Sequence, residues 1–543
     1  MTTKKDTPVF IAGGGPVGMT TALFLARYGV RSILVEQNQT TTRHPKMDLT
    51  NGRAMELFRN AGIVDTLRKV GVPQENPFDI TWFTSLGGYE LHRFKYPSAA
   101  EKTEIIAREN DGTHTREAGM RVSQIIIEPV LKDAIDAEPL VDVRFNTSFE
   151  RIVSQDADGV TVEIKDKATG KTEIVTCSYL AACDGGRSKV REGLGIKLDG
   201  DMAVAGAFMV HFKSQARDIL QRGGISWHLQ TGAGTIICQD DKEIWTLQRW
   251  LLPGEDPSAM DPSTILQEWA GCEFEHEVLQ ANPWTANFVV AEKYNKGRAL
   301  LAGDSAHQFI PTGGYGMNSG IADAASLSWI LAALVQGWGG TKLLEAYDAE
   351  RRPTAWFHLE AARRHMGVRI EIGGAYAETA AKGDLEGQGP ESEALRAELA
   401  SKIEALGNAE NESWGVEWGY RYDESPIVAH EPGAPEIDPL HFHPNTWPGG
   451  RLPHVFVEDG VSVHDLMGTF FTMLMVDDGD ASAFEAAARD LGVPLKVVPL
   501  KRPDLKPIYE RNYVLVRPDH HVAWRGDTLP SDATSVLRLA VGR

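Results

Sequence analysis

The chain has 543 residues, of which 42% are hydrophobic and 24% charged, a composition typical of a globular protein with a sizeable core. Its 55 basic and 75 acidic side chains give a formal charge of −20, which disfavours nucleic acid and anionic membranes as partners. The four cysteines form no C-x-x-C pair, which disfavours disulfide frameworks and zinc ribbons and favours a cytoplasmic location. Glycines interrupt the N-terminal apolar run, so no signal peptide is expected, and the apolar stretch at 327–335 is too short to span a membrane.

A strand, a glycine turn, a helix and a second strand are predicted at the start of the chain. Residues 8–12 and 33–35 are apolar runs, and residues 19–28 carry apolar side chains at helical spacing. The turn between them reads GGGPVG at 13–18, and Glu36 follows the second strand. The glycines of this turn permit a tight bend, the approach of a pyrophosphate and close helix packing. The Glu36 carboxylate can bind ribose hydroxyls. The segment predicts a dinucleotide site without separating FAD from NAD.

Two later segments have the same strand-then-glycine pattern. The strand at 179–183 leads into DGGRSKVR at 184–191, although an ordinary Asp-Gly turn also explains this segment. The strand at 298–302 leads into GDSAH at 303–307, then a glycine-rich loop at 311–320 and a helix from about 318 to 334. Bare backbone N–H groups before a helix suit a flat anionic ring such as a reduced flavin.

These motifs, in this order, resemble those of the class A flavoprotein aromatic hydroxylases, the single-component FAD monooxygenases. The chain is most similar to the branch of phenol hydroxylase, 2-hydroxybiphenyl 3-monooxygenase and 3-(3-hydroxyphenyl)propionate hydroxylase. The resemblance implies an α/β fold: a Rossmann-like FAD-binding domain of the p-hydroxybenzoate hydroxylase type, a β-sheet substrate domain and a C-terminal thioredoxin-like domain. The implied boundaries are 1–78, 108–202 and 293–375 for the first, 79–107 and 203–292 for the second, a helical linker at 376–440, and 441–543 for the third. Because no cysteine follows Cys272, the last domain cannot perform dithiol chemistry.

The resemblance also implies the reagents and the residues that bind them. It implies FAD as cofactor, NAD(P)H and O2 as co-substrates, no metal, and a homodimeric enzyme. Where the family usually has arginine this chain has Lys46, which offers a point charge instead of a planar fork. The cofactor-binding residues implied are Gly13, Gly15, Pro16, Val17, Gly18, Glu36, Gln37, Arg43, Lys46, Gln124, Asp184, Gly185, Gly303, Asp304, Pro311, Gly314, Gly316, Met317 and Asn318.

Asp48 is the candidate catalytic base. In the phenol and hydroxybiphenyl hydroxylases the corresponding loop, at 43–53 here, places an Asp or His beside the substrate hydroxyl, and Asp48 matches that position. A phenolate attacks a C4a-hydroperoxyflavin far better than a phenol does, so a carboxylate that accepts the proton is worth about 10²–10⁴-fold. The alternative role is that of a loop or helix-capping acid. By the same resemblance, the Pro311 carbonyl is expected to face the substrate hydroxyl.

The β-rich region at 203–290 supplies four candidate substrate contacts, Trp227, Trp245, Arg249 and Trp250, although aromatic residues on strands more often belong to the core. The predicted reaction is hydroxylation of a phenolic ring, ortho to its hydroxyl. A flavin-dependent epoxidase or Baeyer–Villiger oxygenase of a polyketide-like substrate is the enzyme alternative, in which Asp48 would be idle. A protein that binds flavin without reducing it is the alternative from another class.

Overall fold

The computed structural model describes residues 5–543; residues 1–4, the start of the predicted FAD domain, lie outside the described part. An eight-stranded nucleotide sheet forms the core of the first domain. The apolar strand Thr7–Ala12 is buried at its centre and pairs in parallel with Ser32–Glu36 and Thr172–Ala182. The remaining strands are Val141–Phe145, Thr147–Gln155, Val160–Asp166, Asn295–Lys296 and Ala299–Leu301.

Several helices pack on the nucleotide sheet and on one another. Pro16–Arg27 follows the first strand, and Gly29, at φ +74°, follows its end as predicted. The predicted 318–334 helix is observed as Tyr315–Val335 and packs against Pro16–Arg27. It is long and apolar enough to cross a membrane, but 89% of its most apolar window is buried inside the protein, which accounts for its composition. The other helices here are Gly52–Asn60, Val64–Val70, Gln124–Asp136, Lys189–Leu194 and Lys342–Ala380.

A second sheet, the substrate sheet, also has eight strands. Their spatial order is His307–Gln308, Glu277–Ala291, Leu198–Lys213, Ile244–Trp250, Gly234–Cys238, His228–Thr231, Ile80–Phe83 and Glu90–Phe94. One face packs on the helix Pro262–Ala270, and the far strands pack on Lys342–Ala380 and Pro390–Leu406. Two further helices, Ala99–Glu109 and Arg217–Leu220, complete this part of the chain, and Leu49–Thr50 pairs with Met120–Arg121 in a separate two-stranded sheet.

Three predicted domain boundaries fall inside continuous elements. Leu198–Lys213 runs through the boundary at 202, with a register shift between Asp201 and Ala205, and Lys342–Ala380 runs through the one at 375. The boundary at 107 lies within Ala99–Glu109. The two domains therefore share elements, and the cavity between them is bounded by continuous strands and helices.

The C-terminal part forms a four-stranded sheet in the order Leu495–Pro499, Phe471–Met475, Tyr513–Val516, Val522–Gly526. The first two strands are parallel and are joined by the helix Ser482–Leu491, while the other pairs are antiparallel. This is the βαβ-then-hairpin order predicted for a thioredoxin-like domain. The remaining elements are the short hairpin Phe456–Glu458 with Val461–Ser462 and the helices Trp414–Glu417, Val463–Leu466, Lys506–Tyr509 and Ala533–Ala540.

Candidate active site

A cavity of about 1410 Å³ lies between the nucleotide sheet and the substrate sheet. Sites for one drug-sized ligand measure about 300–1,000 Å³, so this cavity has room for a large cofactor and a second molecule. Most of the predicted cofactor residues line it: Gly13, Gly15, Pro16, Val17, Glu36, Gln37, Arg43, Lys46, Gln124, Asp184, Gly185, Asp304, Pro311, Gly314, Gly316 and Met317. Gly18, Gly303 and Asn318 lie behind this wall.

The three glycines of the first turn have different structural roles. Gly13 has φ +107°, and a Cβ there would lie 2.2 Å from the carbonyl oxygen of Cys183. A Cβ at Gly18 would lie 2.0 Å from the Gly13 carbonyl oxygen, so both glycines are required by close backbone packing. Gly15 is the N-cap of the helix Pro16–Arg27, and a Cβ there would meet no described atom within 4 Å. Its backbone therefore borders open space where a helix N-terminus can bind phosphate.

Glu36 and the loop after it form the next part of the wall. The Glu36 carboxylate accepts hydrogen bonds from the N–H groups of Gly14 at 2.8 Å and Asn38 at 2.9 Å, which fixes it at the strand end. Glu128, beyond the predicted set, accepts from the Thr42 N–H at 2.6 Å and from the Gln124 amide at 2.7 Å. Burial raises the pKa of Glu128, against the opposing effect of these donors. Gln124 therefore acts partly by anchoring the loop through Glu128.

Asp184 stabilises the start of a helix as well as lining the cavity. Its carboxylate accepts from the Ser188 hydroxyl at 2.5 Å and from the Val190 N–H at 3.1 Å, at the start of Lys189–Leu194. Burial raises its pKa. Gly185 follows at φ +80° and, like Gly15 and Gly316, leaves open space where a Cβ would project. The cavity wall thus has three bare backbone positions, which suit the close approach of a flat or phosphorylated group.

A buried ion-pair network supports the third glycine segment. Asp323 accepts hydrogen bonds from the Gly303 N–H at 3.0 Å, from His307 Nε2 at 2.9 Å and from Arg351 Nε at 2.7 Å. Burial alone would raise the pKa of Asp323, but Arg351 and His307 hold it below its usual value. Gly303 therefore positions its neighbour Asp304, whose exposed side chain reaches the cavity.

Asp48 lies at the junction of the two sheets. Its carboxylate accepts a hydrogen bond from the indole N–H of Trp227, and its backbone carbonyl accepts from the Val122 N–H at 2.8 Å. The Asn318 amide donates to the carbonyls of Leu49 at 3.2 Å and Gly314 at 2.7 Å. Asn318 thereby ties the loop of Asp48 to the glycine-rich segment. The helix cap next to it is Asn51, which accepts from the Ala54 N–H, so Asp48 is not the capping residue.

Pro311 lies on the cavity wall, but its carbonyl accepts a hydrogen bond from the Gly314 N–H at 2.9 Å. One lone pair of that oxygen is therefore used inside the turn. Trp227 and Arg249 both border the cavity, but Arg249 shares the face of its strand with Trp245 and Leu247. Its guanidinium forms a two-point ion pair with Glu255 at 2.6 and 2.9 Å.

The prediction that Trp245 contacts substrate is wrong. Side chains alternate along a strand, and Trp245 points with Leu247 to the face that packs on the helix Pro262–Ala270. The indole is fully buried there and donates to the Ser214 carbonyl at 3.0 Å. The cavity face of the same strand presents Gln248 and Trp250 instead.

Several cavity residues were not predicted because they come from distant parts of the chain. His228 lies with its Nε2 3.8 Å from the Asp48 carboxylate, and burial lowers its pKa. Arg369 and Glu410 form an ion pair on the same wall. Glu410 belongs to the region interpreted as a linker, where composition gives no signal of a site. The indole N–H of Trp284, which faces Trp250, donates to Gln248 at 2.9 Å.

The comparisons with known proteins show the family of the chain. The family model of the FAD binding domain matches residues 6–362, and that of the aromatic-ring hydroxylase C-terminal domain matches residues 445–543. The chain belongs to the FAD-dependent aromatic-ring hydroxylases. It is a flavoprotein monooxygenase that uses FAD, and NAD(P)H is the typical co-substrate of its family.

Named relatives of this monooxygenase align along most of their length. The FAD-dependent monooxygenase apdD of Emericella nidulans is 37% identical over 100% of this chain and 92% of its own. The tetracenomycin A2 monooxygenase-dioxygenase of Streptomyces glaucescens is 32% identical over 99% and 97%, and the phenol 2-monooxygenase of a Pseudomonas species is 29% identical over 99% and 92%.

Solved structures show the same architecture. The rebeccamycin biosynthetic enzyme RebC with reduced flavin aligns with a TM-score of 0.88 and 32% identity over 99% of both chains. Aklavinone-11 hydroxylase, in a complex with FAD and aklavinone, aligns with a TM-score of 0.83 and 27% identity over 99% of this chain and 100% of its own. The predicted fold class and family are confirmed.

Proposed function

We propose that this monooxygenase hydroxylates a phenolic ring ortho to its hydroxyl group, with Asp48 as the proton acceptor. The balanced reaction converts the phenol, O2, NAD(P)H and a proton into the catechol, water and NAD(P)+. The observation that carries the proposal is the position of Asp48: a carboxylate on the cavity wall, fixed by the Trp227 indole, between the glycine-rich segment and the substrate sheet. Bound FAD supplies the electron transfer and the oxygen activation.

The chain's own residues bind, orient and deprotonate the substrate. Asp48 accepts the phenol proton, which raises the electron density of the ring at its ortho and para carbons. Holding the hydroxyl at Asp48 leaves the ortho carbon as the reactive position nearest to this anchor, which favours ortho over para. Trp227 donates to the carboxylate and keeps it aimed, since a charge-assisted hydrogen bond is stronger than a neutral one.

Aromatic walls favour a substrate larger than a single ring. Trp227, Trp250, Trp284 and Phe309 line the substrate end of the cavity, and aromatic side chains bind flat ligands by stacking and edge contacts. The relatives are named for different substrates, a tetracenomycin A2 monooxygenase-dioxygenase and an aklavinone-11 hydroxylase beside a phenol 2-monooxygenase, so the proposed size rests on the aromatic lining. We therefore propose a multi-ring or extended phenol as the substrate.

A panel of substituted phenols tests the function. Each phenol is incubated with the holoenzyme, NADH or NADPH and O2, and the catechol formed is compared with the NAD(P)H consumed. Substrate-accelerated flavin bleaching in stopped flow with a catechol product supports hydroxylation. An epoxide or lactone product supports the alternative oxygenase, and no bleaching supports a flavin-binding protein without reductase activity. Light scattering tests the further proposal that the enzyme is a homodimer, which we place in the cytoplasm because it uses few cysteines.

A further inference from the structure

One part of the cavity wall, which begins beside Asp48, carries a cluster of polar side chains that phenol deprotonation does not use. We call it the distal cluster: His228, Gln230, Arg369, Glu410 and Asn411. His228 and Gln230 lie two residues apart on one face of the strand His228–Thr231, about 7 Å along it. His228, nearer to Asp48, begins the cluster, and His228, Arg369, Glu410 and Asn411 all line the cavity.

The positive charge of the distal cluster is already paired. Arg369 donates to the side-chain amide oxygen of Gln230 and to the Thr235 hydroxyl at 3.2 Å, and it forms an ion pair with Glu410 Oε1. The Glu410 side chain is 7% exposed. Burial alone would raise its pKa, but the Arg369 guanidinium holds the pKa of Glu410 below its usual value, so the carboxylate is ionised. An ionised carboxylate oxygen can only accept hydrogen bonds.

Several polar atoms of the cluster have no partner among residues 5–543. The second carboxylate oxygen of Glu410, Oε2, is buried without a donor, and the amide nitrogens of Gln230 and Asn411 are buried without an acceptor. Both ring nitrogens of His228 are also unpaired within the described chain. Folded proteins pair nearly all such groups, because an unpaired buried donor or acceptor is costly. Glu410 Oε2 and Asn411 Nδ2 belong to residues that line the cavity, so these two unpaired atoms indicate that a ligand completes them.

We propose that the distal cluster is a second substrate subsite that binds an uncharged O–H or N–H group, at the opposite end of the substrate from the hydroxyl held by Asp48. The subsite rests on the proposed function, because Asp48 is taken to mark the reacting hydroxyl. Glu410 Oε2 accepts a hydrogen bond from the distal group, and the Asn411 amide donates to its oxygen, while Gln230 supports Arg369 from behind the wall. A carboxylate on the ligand would be repelled by the negative charge of Glu410. Arg369 cannot compensate, because its positive charge is already paired with Glu410. The substrate class is an extended phenol with a neutral hydroxyl, amide or lactam at the far end.

Three matched biphenyls test this subsite in the wild-type holoenzyme. They are 4,4′-dihydroxybiphenyl, its mono-methyl ether and 4′-hydroxybiphenyl-4-carboxylate, which share one reacting phenol and differ at the distal end. Dissociation constants come from the perturbation of the flavin spectrum, and kcat/KM from the catechol formed. A hydrogen bond to a charged group is worth about 10–100-fold, so we expect the dihydroxy compound to exceed the ether and the carboxylate by that factor.

Glu410→Gln removes the acceptor charge and releases Arg369. We expect the preference for the distal hydroxyl over the ether to fall to within about threefold, and the carboxylate to improve by about tenfold or more. Glu412→Gln is the matched control, since Glu412 is an exposed glutamate two residues away, outside the cavity wall. Its ratios should equal those of the wild type. Flavin content and the melting temperature show whether each variant is folded.

The outcomes separate the subsite from the function. Equal affinity of the wild type for the dihydroxy compound and its ether, with both phenols hydroxylated, overturns the subsite alone. Equal affinity is also the result expected if buried water completes the cluster. Unchanged ratios in a folded Glu410→Gln variant overturn the assigned role of Glu410. If none of the three phenols is bound or hydroxylated, both the subsite and the proposed function are overturned. The wild-type comparison decides the question even where the variant fails to fold.

Discussion

Gly15→Ala is expected to weaken FAD binding without harming the fold. Gly15 has extended backbone angles, φ −77° and ψ −177°, which alanine adopts readily. A Cβ there meets no described protein atom within 4 Å and projects where the first glycine turn borders the cavity. Because alanine restricts the unfolded chain, we expect the apoprotein to gain about 0.4–1 kcal/mol of stability. The same methyl group crowds a bound pyrophosphate by about 1–3 kcal/mol, a 5–150-fold loss of FAD affinity.

Gly13→Ala is the matched contrast. Its φ of +107° strains an alanine by about 1–3 kcal/mol, and the added Cβ would lie 2.2 Å from the Cys183 carbonyl oxygen. This variant is therefore expected to lose stability before any cofactor is added. Urea unfolding of the deflavinated proteins measures the first effect, and titration of flavin fluorescence measures the second. The reasoning is refuted if Gly15→Ala binds FAD as the wild type does, or if both apoproteins are destabilised equally.

Three further predictions concern stability and the support of Asp48. Arg517→Met leaves Glu350 and Asp519 as buried carboxylates without their arginine, between the helix Lys342–Ala380 and the C-terminal sheet. The free energy of unfolding, measured in urea, should therefore fall by about 3–5 kcal/mol. A fall of less than about 1 kcal/mol would contradict this. Trp227→Phe keeps the aromatic wall but removes the hydrogen-bond donor to Asp48. We therefore expect NAD(P)H oxidation to continue while the yield of catechol per NAD(P)H falls. An unchanged yield of catechol per NAD(P)H would show that the indole N–H is dispensable. Burial lowers the folded-state pKa of three histidines, His358 to about 3, His454 to about 3 and His521 to about 4. The unfolded state therefore binds more protons below about pH 6.5, so the stability in urea should be complete above that pH and fall progressively towards pH 4. A flat stability profile from about pH 7.5 to 5 would refute the assignment.

Local sequence patterns predicted the residues of the cofactor wall. The substrate wall could not be predicted in the same way, because it depends on contacts between distant parts of the chain. The glycine turn at Gly13–Gly18 could be assigned because turn, phosphate approach and helix packing are all encoded within a few consecutive residues. Trp245 was misassigned because the alternation of a strand shows which residues share a face but not which face is covered by a helix.

The distal cluster could not be predicted from the sequence either. Glu410 reaches the cavity from a segment of polar composition, and Arg369 from the C-terminal half of a 39-residue helix. Their pairing depends on how that helix lies across the substrate sheet. Nothing in the sequence around either residue differs from a solvated charged surface, so only the tertiary structure could bring them together.

Asp48→Asn tests the central claim most directly. Asparagine keeps the shape and can still accept the Trp227 hydrogen bond through its amide oxygen, but it cannot take a proton at neutral pH. With a phenol that the wild type hydroxylates, we expect the rate of catechol formation to fall about 10²–10⁴-fold, while the flavin content and the reduction of the flavin by NAD(P)H stay at the wild-type level. Catechol formation at the wild-type rate would contradict the account, because Asp48 would then be idle in the reaction.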